Sequence, residues 1–200
     1  TSPVHNGPIM DLSWSEKFQQ SISCSDDKTL AILDWNEERI AKKESRDAKR
    51  IYLNGHTKAV NRLHVNDTTG HVWSISRDLS LRSWDIKSTS ALTTISDAHE
   101  LNISAVASNK AGDTVFTGSR DYHVKGWDVE KSQNKFDFSV PRNIVTAMKY
   151  GPTDDLLYQA SEDLCIRVWD PRSSSPGKPT MVIPGFVYFA LCLDIHSNGT

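Results

Sequence analysis

One twelve-residue stretch, Thr117 to Asp128, constrains the fold more than any other part of the chain, because it recurs. It reads Thr-Gly-Ser-Arg-Asp-Tyr-His-Val-Lys-Gly-Trp-Asp. A related run, Ser74 to Asp85, begins 43 residues earlier, and another, Gln159 to Asp170, begins 42 residues later. Self-similarity at a fixed period of this length is the mark of stacked supersecondary units that share a continuous core.

The spacing inside the units is also fixed. A hydroxyl residue precedes an Asp by four positions, a Trp follows that Asp by six, and a His precedes the hydroxyl by 18. One copy has His56, Ser74, Asp78 and Trp84; the next has His99, Thr117, Asp121 and Trp127. A weaker first copy has His5, Ser23 and Asp27, with Leu33 at the Trp position and a Trp displaced to Trp35. The last keeps Asp163 and Trp169 but carries Pro141 and Gln159 at the other two places.

Gly55-His56 near the start of a unit and Trp-Asp near its end, at this period, resemble the WD-repeat β-propeller family over essentially the whole chain. The resemblance implies an all-β fold in which each repeat is a four-stranded blade, with the His, hydroxyl, Asp and Trp forming a structural hydrogen-bonded relay. Blades are expected over residues 5–54, 55–97, 98–140 and 141–184, with 185–200 as the start of a fifth. Propellers of this family usually have seven blades, so the chain reads as one partial propeller whose ring is closed by further residues of a longer protein.

A Ser, a His and an Asp in one unit also invite comparison with a hydrolase triad. Such a triad works as one constellation beside an oxyanion hole, whereas here the residues return with the repeat. The reading is structural. Polar groups can be buried once each has a partner, and an Asp in a short turn can accept from backbone N–H groups and from the His.

Formal charge is −2, which gives no bulk attraction to nucleic acid or anionic membrane. Cys24, Cys165 and Cys192 are far apart and odd in number, against a disulfide framework or a zinc site. No apolar run reaches membrane-spanning length, and Thr1 to Gly7 is no signal peptide. No metal spacing, isolated carboxylate pair or phosphate loop is present. The expectation is a non-enzymatic cytoplasmic or nuclear protein without cofactor or metal, acting through protein partners, with no membrane insertion.

Short apolar runs between Gly, Asn and Asp turns predict strands throughout, among them Ser21–Ser25, Val72–Ser76, Leu79–Asp85, His123–Asp128 and Leu156–Ala160. A further strand is predicted over Phe189–Ile195, leading to an Asn198-Gly199 hairpin turn. Ten of residues 36–50 are charged, and the stretch reads as a solvated outer loop or a docking element.

Rigid scaffolds present binding residues on loops. The residue before each relay Asp is Asp26, Arg77, Arg120 or Glu162, and the family resemblance places this position at a partner-binding entrance. Arg77 and Arg120 could grip an acidic or phosphorylated peptide, with Lys58 and Arg142 on the same rim. Trp169-Asp170-Pro171-Arg172 resembles the motif by which some WD-repeat proteins dock on a cullin-based ubiquitin ligase, with Arg172 as the contact. The run Val140 to Val145, Ser161-Glu162-Asp163, Thr117 to Asp121 and the displaced Trp35 together resemble WD-repeat proteins of the type associated with cilia and intraflagellar trafficking.

Overall fold

The computed structural model describes residues 3–34, 50–139, 143–173 and 177–196. Every regular element among them is a β-strand. The first sheet comprises β1 (Ile9–Ser15), β2 (Gln20–Ser25), β3 (Leu30–Asp34) and β4 (Arg50–Leu53), and the second β5 (Val60–Asn66), β6 (His71–Ser76), β7 (Leu81–Asp85) and β8 (Ala91–Ile95). The third comprises β9 (Ile103–Ser108), β10 (Thr114–Ser119), β11 (His123–Asp128) and β12 (Gln133–Ser139), and the fourth β13 (Val145–Tyr150), β14 (Leu157–Ser161), β15 (Ile166–Trp169) and β16 (Met181–Ile183). Each sheet is an antiparallel meander with its strands in chain order. This is the expected all-β architecture of repeated four-stranded units. Trp35, residues 36–49 of the charged stretch, Pro141, Arg142 and Asn198-Gly199 lie outside the described residues.

The chain forms two compact units, Thr1–Asp97 and Ala98–Thr200, each holding two sheets. In the first, β5 packs on β1 and β2, and Ile22, Cys24, Leu30, Ile32, Val60, Leu63 and Trp84 share one buried core. In the second, β13 packs on β9 and β10. Its core is largely aromatic: Phe116 lies 5.7 Å from Tyr150 and 6.3 Å from Phe136, and Phe138 stacks on Trp169 at 4.9 Å with the planes 3° apart. Burying large rings accounts for much of the cohesion between the two sheets, at about 25 cal/mol per Å² of apolar surface.

Two glycines stand where their own copies pack closely, although other copies carry Cys24, Ile75 or Ala160, and Val4 or Ala98, at the equivalent positions. A Cβ on Gly118 would sit 2.7 Å from Met148 Sδ and 2.9 Å from Val145 Cβ, so β10 approaches β13 only because that atom is missing. A Cβ on Gly55 would meet Arg82 Nη1, the mobile end of its side chain, at 2.6 Å and Trp84 Cη2 at 3.0 Å, so these two side chains pack over the glycine.

Two sequence expectations are corrected. The third strand of the second sheet starts at Leu81 rather than Leu79, because Leu79 has φ of 66° and belongs to the turn. The expected strand Phe189–Ile195 is not a strand. It is tied to β13 by side chains, with Thr146 Oγ1 donating to the Ala190 carbonyl at 2.6 Å and Lys149 paired with Asp194 at 2.9 Å. A strand needs a backbone ladder, and side-chain ties do not impose one.

Candidate functional site

The repeated polar residues meet at one end of each sheet. In the second sheet the Ser74 hydroxyl lies 2.8 Å from His56 Nε2, and His56 Nδ1 lies 3.0 Å from Asp78 Oδ2. Asp78 also accepts from the N–H groups of Thr57 and Ser80, and the Trp84 indole N–H donates to Ser74 Oγ at 2.9 Å. In the third sheet His99 Nε2 meets Thr117 Oγ1 at 2.8 Å, His99 Nδ1 meets Asp121 Oδ2 at 2.9 Å, and Trp127 donates to Thr117 Oγ1 at 2.8 Å. In the first, His5 meets Ser23 at 2.8 Å and Asp27 at 3.1 Å. With Leu33 in the Trp position, no indole N–H from that position reaches Ser23.

Valence gives these chains a direction. A carboxylate only accepts, so Nδ1 of each His carries the proton. In a neutral ring Nε2 then accepts from the hydroxyl, whose oxygen accepts in turn from the indole. The order indole to hydroxyl to imidazole to carboxylate places hydroxyl, His and Asp as a hydrolase triad would have them. Burial separates the two cases. Ser74 and Thr117 are 0% exposed and Ser23 is 3% exposed, so no substrate carbonyl reaches the hydroxyl oxygen.

The ionisation states fit this direction. Burial holds the His56 imidazole below its ordinary value despite the adjacent Asp78 carboxylate, which keeps the ring neutral. Burial pushes the Asp27 carboxyl up, but hydrogen bonds from the Thr29 hydroxyl and from the Asn6 and Thr29 N–H groups outweigh it and bring the value down to about 2. Asp78 and Asp121 are lowered in the same manner, the His side chain being among their donors.

Each of these groups has a folded-state value below its unfolded one, so its contribution to stability is lost as pH falls. The His56 contribution is complete above about pH 6.5, its unfolded value, and declines below it. Those of Asp27, Asp78 and Asp121 are complete above about pH 4 and fade as each folded value is crossed. The melting temperature of the full-length protein should therefore be flat from pH 8 to 7, fall gently below 6.5 and steeply below 4. An unchanged slope between pH 6.5 and 5 in His56→Asn would remove His56 as the origin of the gentle fall.

The fourth sheet solves the same problem with different groups. Trp169 donates to Gln159 Oε1 at 2.9 Å, and Gln159 Nε2 donates to Asn143 Oδ1 at 3.0 Å. Arg167 Nη1 donates to Asn143 Oδ1 at 3.1 Å and to Ser161 Oγ at 3.0 Å, and its guanidinium pairs with Asp163. The sequence reading gave no hydrogen-bonding role to Arg167 or to Asn143, which figures there only within the run Val140 to Val145. The available signal was Arg167 standing four residues after its Asp, as Arg82 and Lys125 do in the preceding copies.

The residues preceding the relay Asp lie at the same end of the sheets, on exposed turns. Arg77 lies 4.0 Å from Asp26, and Arg120 lies 3.9 Å from Glu162, each pair joining neighbouring sheets within one unit. Both Arg side chains are 54% exposed, and contacts at this distance in solvent are weak. Lys58 is exposed, and its carbonyl accepts from Ser76 at 3.1 Å. Arg142 lies outside the described residues. Arg172 is not on these turns: it donates to Asp170 at 3.0 Å and lies 3.5 Å from Asp155, beside the β13–β14 connection. Among the described residues no group of three or more His, Cys, Asp or Glu could hold a metal ion, and no helix is long and apolar enough to cross a membrane.

Comparison with known proteins matches a family model described as WD domain, G-beta repeat, to residues 1–34, 90–128 and 133–170, more than half of the chain. A ribosome biogenesis protein WDR12 homolog of Drosophila sechellia is 28% identical over 85% of this chain and 43% of its own length. A nuclear distribution protein PAC1 of Arthroderma otae is 27% identical over 88% of this chain and 39% of its own. A pre-mRNA-processing factor 19 homolog 2 of Arabidopsis thaliana is 31% identical over 60% of this chain and 23% of its own. The chain spans less than half the length of these relatives.

Proposed function

The chain belongs to the WD-repeat family, and from that premise we propose that it is a non-enzymatic protein-interaction scaffold acting in the assembly of ribosomal particles. The observation that carries the scaffold reading is the burial of the relay: Ser74 and Thr117 are each 0% and Ser23 3% exposed, so the triad-like groups tie together the strands of each sheet. Exposed turns are what remain for recognition. The ribosomal setting is supported by the WDR12 relatives, which are described as ribosome biogenesis proteins. A formal charge of −2 provides no electrostatic footprint for RNA, so attachment to a ribonucleoprotein particle runs through protein partners. The compartment that fits is nuclear and cytosolic.

Two finer readings of the sequence, ciliary trafficking and reception of substrates for a cullin-based ligase through Arg172, have no counterpart in the names of these relatives. One experiment compares all three. The tagged full-length protein is sedimented from native cells and its companions are identified by mass spectrometry. The expected result is co-migration with pre-ribosomal particles, with accumulation of ribosomal RNA precursors when the protein is depleted. Sedimentation with ciliary transport proteins, or with a ligase adaptor in a manner abolished by Arg172→Ala, would overturn the ribosomal assignment.

A further inference from the structure

Three asparagines of the chain are followed by glycine: Asn6-Gly7, Asn54-Gly55 and Asn198-Gly199, the last outside the described residues. An asparagine holds its side-chain amide within reach of the next backbone nitrogen. Ring closure between the two is intramolecular, so local geometry decides whether it proceeds. Glycine leaves that nitrogen open to approach, since it has no Cβ and turns freely.

Both described pairs adjoin a relay histidine, and the fold treats them differently. Asn6 donates its N–H to Asp27 Oδ2 at 2.8 Å, and a Cβ on Gly7 would lie 3.1 Å from the Asp27 nitrogen. The Pro8 carbonyl then accepts from the Asp26 N–H at 3.0 Å. Residues 6–8 are thus fixed against the turn that carries Asp27. Asn54 and Gly55 are both exposed, in the connection between β4 and β5, and the matching bond to Asp78 comes from Thr57, three residues beyond Asn54. Among the described residues no hydrogen bond engages the Asn54 side chain or the Gly55 N–H. By contrast, Asn66 accepts from Thr68 and Thr69, Asn109 from Gly112 and Thr114, and Asn143 from Gln159 and Arg167.

A cation lies over the exposed pair. Arg82 Nη1 is 2.6 Å from where a Gly55 Cβ would be, and Arg82 Nε is buried without a hydrogen-bond partner. The equivalent Lys125 is satisfied by the Ala98 carbonyl at 3.0 Å, and Arg167 by Asn143, Ser161 and Asp163. A neighbouring positive charge favours the deprotonated form of an acidic group. Here it favours loss of the Gly55 amide proton and any carboxylate formed beside it.

We propose that Asn54-Gly55 is a self-modifying site, converting in the folded protein to aspartate and isoaspartate at position 54. Hydroxide removes the Gly55 amide proton, and the nitrogen attacks Asn54 Cγ. The new C–N bond closes a succinimide, the Cγ–Nδ2 bond breaks, and ammonia leaves with a proton from water. Water then opens the imide at one of its two carbonyls. Opening at Cγ gives aspartate; opening at the main-chain carbonyl gives isoaspartate, in which the backbone runs through the side chain and is one carbon longer. That carbon enters two residues before His56, so the isoaspartate form moves Gly55 from beneath Arg82 and Trp84 and loosens the second relay.

The full-length protein is held at mildly alkaline pH and body temperature in water enriched in heavy oxygen, either folded or in guanidinium chloride. Mass spectrometry follows the peptide containing each Asn-Gly pair, and an isoaspartate-specific carboxyl methyltransferase marks the isoaspartate. Relative to its own rate in denaturant, position 54 should slow no more than about threefold in the folded protein, whereas position 6 should slow at least tenfold. Melting temperature should fall as isoaspartate accumulates, and Asn54→Gln should abolish both the conversion and the fall. Arg82→Met should slow position 54 in the folded protein at least threefold, and Arg82→Lys, which keeps the charge, should not. Protection of position 54 as strong as that of position 6 would overturn the proposal, as would an unchanged rate in a folded Arg82→Met. None of these readouts depends on the ribosomal setting.

Discussion

Replacing Thr117 by Val should destabilise the full-length protein by about 2–5 kcal/mol, although the two side chains have the same shape. Thr117 Oγ1 is the junction of the third sheet, lying 2.8 Å from both His99 Nε2 and Trp127 Nε1. Valine fills the space and leaves two polar atoms without a partner, on residues only 2% and 6% exposed. An orphaned buried donor or acceptor costs about 1–3 kcal/mol, and here there is one of each. Thr117→Ser keeps the hydroxyl and loses only a methyl group, so it should recover most of the difference. Urea unfolding of the three proteins measures this. A valine variant as stable as the parent would show that the hydroxyl is not the junction.

The second large effect is expected at Arg167, where the fourth sheet departs from the repeat. Its guanidinium supplies Asn143, Ser161 and Asp163 together, so Arg167→Met strips three acceptors at once. Removing one member of a buried ion pair costs about 3–5 kcal/mol, because the remaining charge is uncompensated. Asp163 keeps 27% of its side chain in solvent, which lowers the expected loss to about 2–4 kcal/mol. The double variant Arg167→Met, Asp163→Asn leaves no buried charge and should regain part of the loss, which a double-mutant cycle resolves. Equal stability of the single and double variants would show that the guanidinium acts through packing rather than through the carboxylate.

These two sites differ in how much of them could be read in the chain. Thr117 stands in a pattern of fixed separations, 18 residues after its His and ten before its Trp. Antiparallel register converts such separations into proximity: Thr117 pairs with Lys125 on one side and Val106 on the other. Asn143 had no repeated pattern to mark it, and the basic residue four after the Asp in three copies, Arg82, Lys125 and Arg167, does not by its spacing reveal that Arg167 joins Asn143. They meet because a meander brings the loop before β13 beside β15, 24 residues further along. The exposed apolar side chains of β1 were equally hidden: Ile9, Leu12 and Trp14 mark a strand by composition, yet they are 57%, 64% and 43% exposed.

What the sequence determined by itself is the part set by repetition: an all-β chain of repeated units, which only their resemblance to a known family made four-stranded, the turns between their strands, and the polar groups the copies share. Period and turn chemistry are local properties, and a pattern written several times in one chain is readable without coordinates. Only the tertiary structure decided which way the protons point and that the triad-like hydroxyls are sealed from solvent. It also decided that Gln159, Asn143 and Arg167 replace a missing histidine, and that Arg77 and Arg120 each face an acidic residue of a neighbouring sheet. The reason is the same throughout: burial and hydrogen-bond valence depend on every neighbour at once, and those neighbours come from strands far apart in the chain.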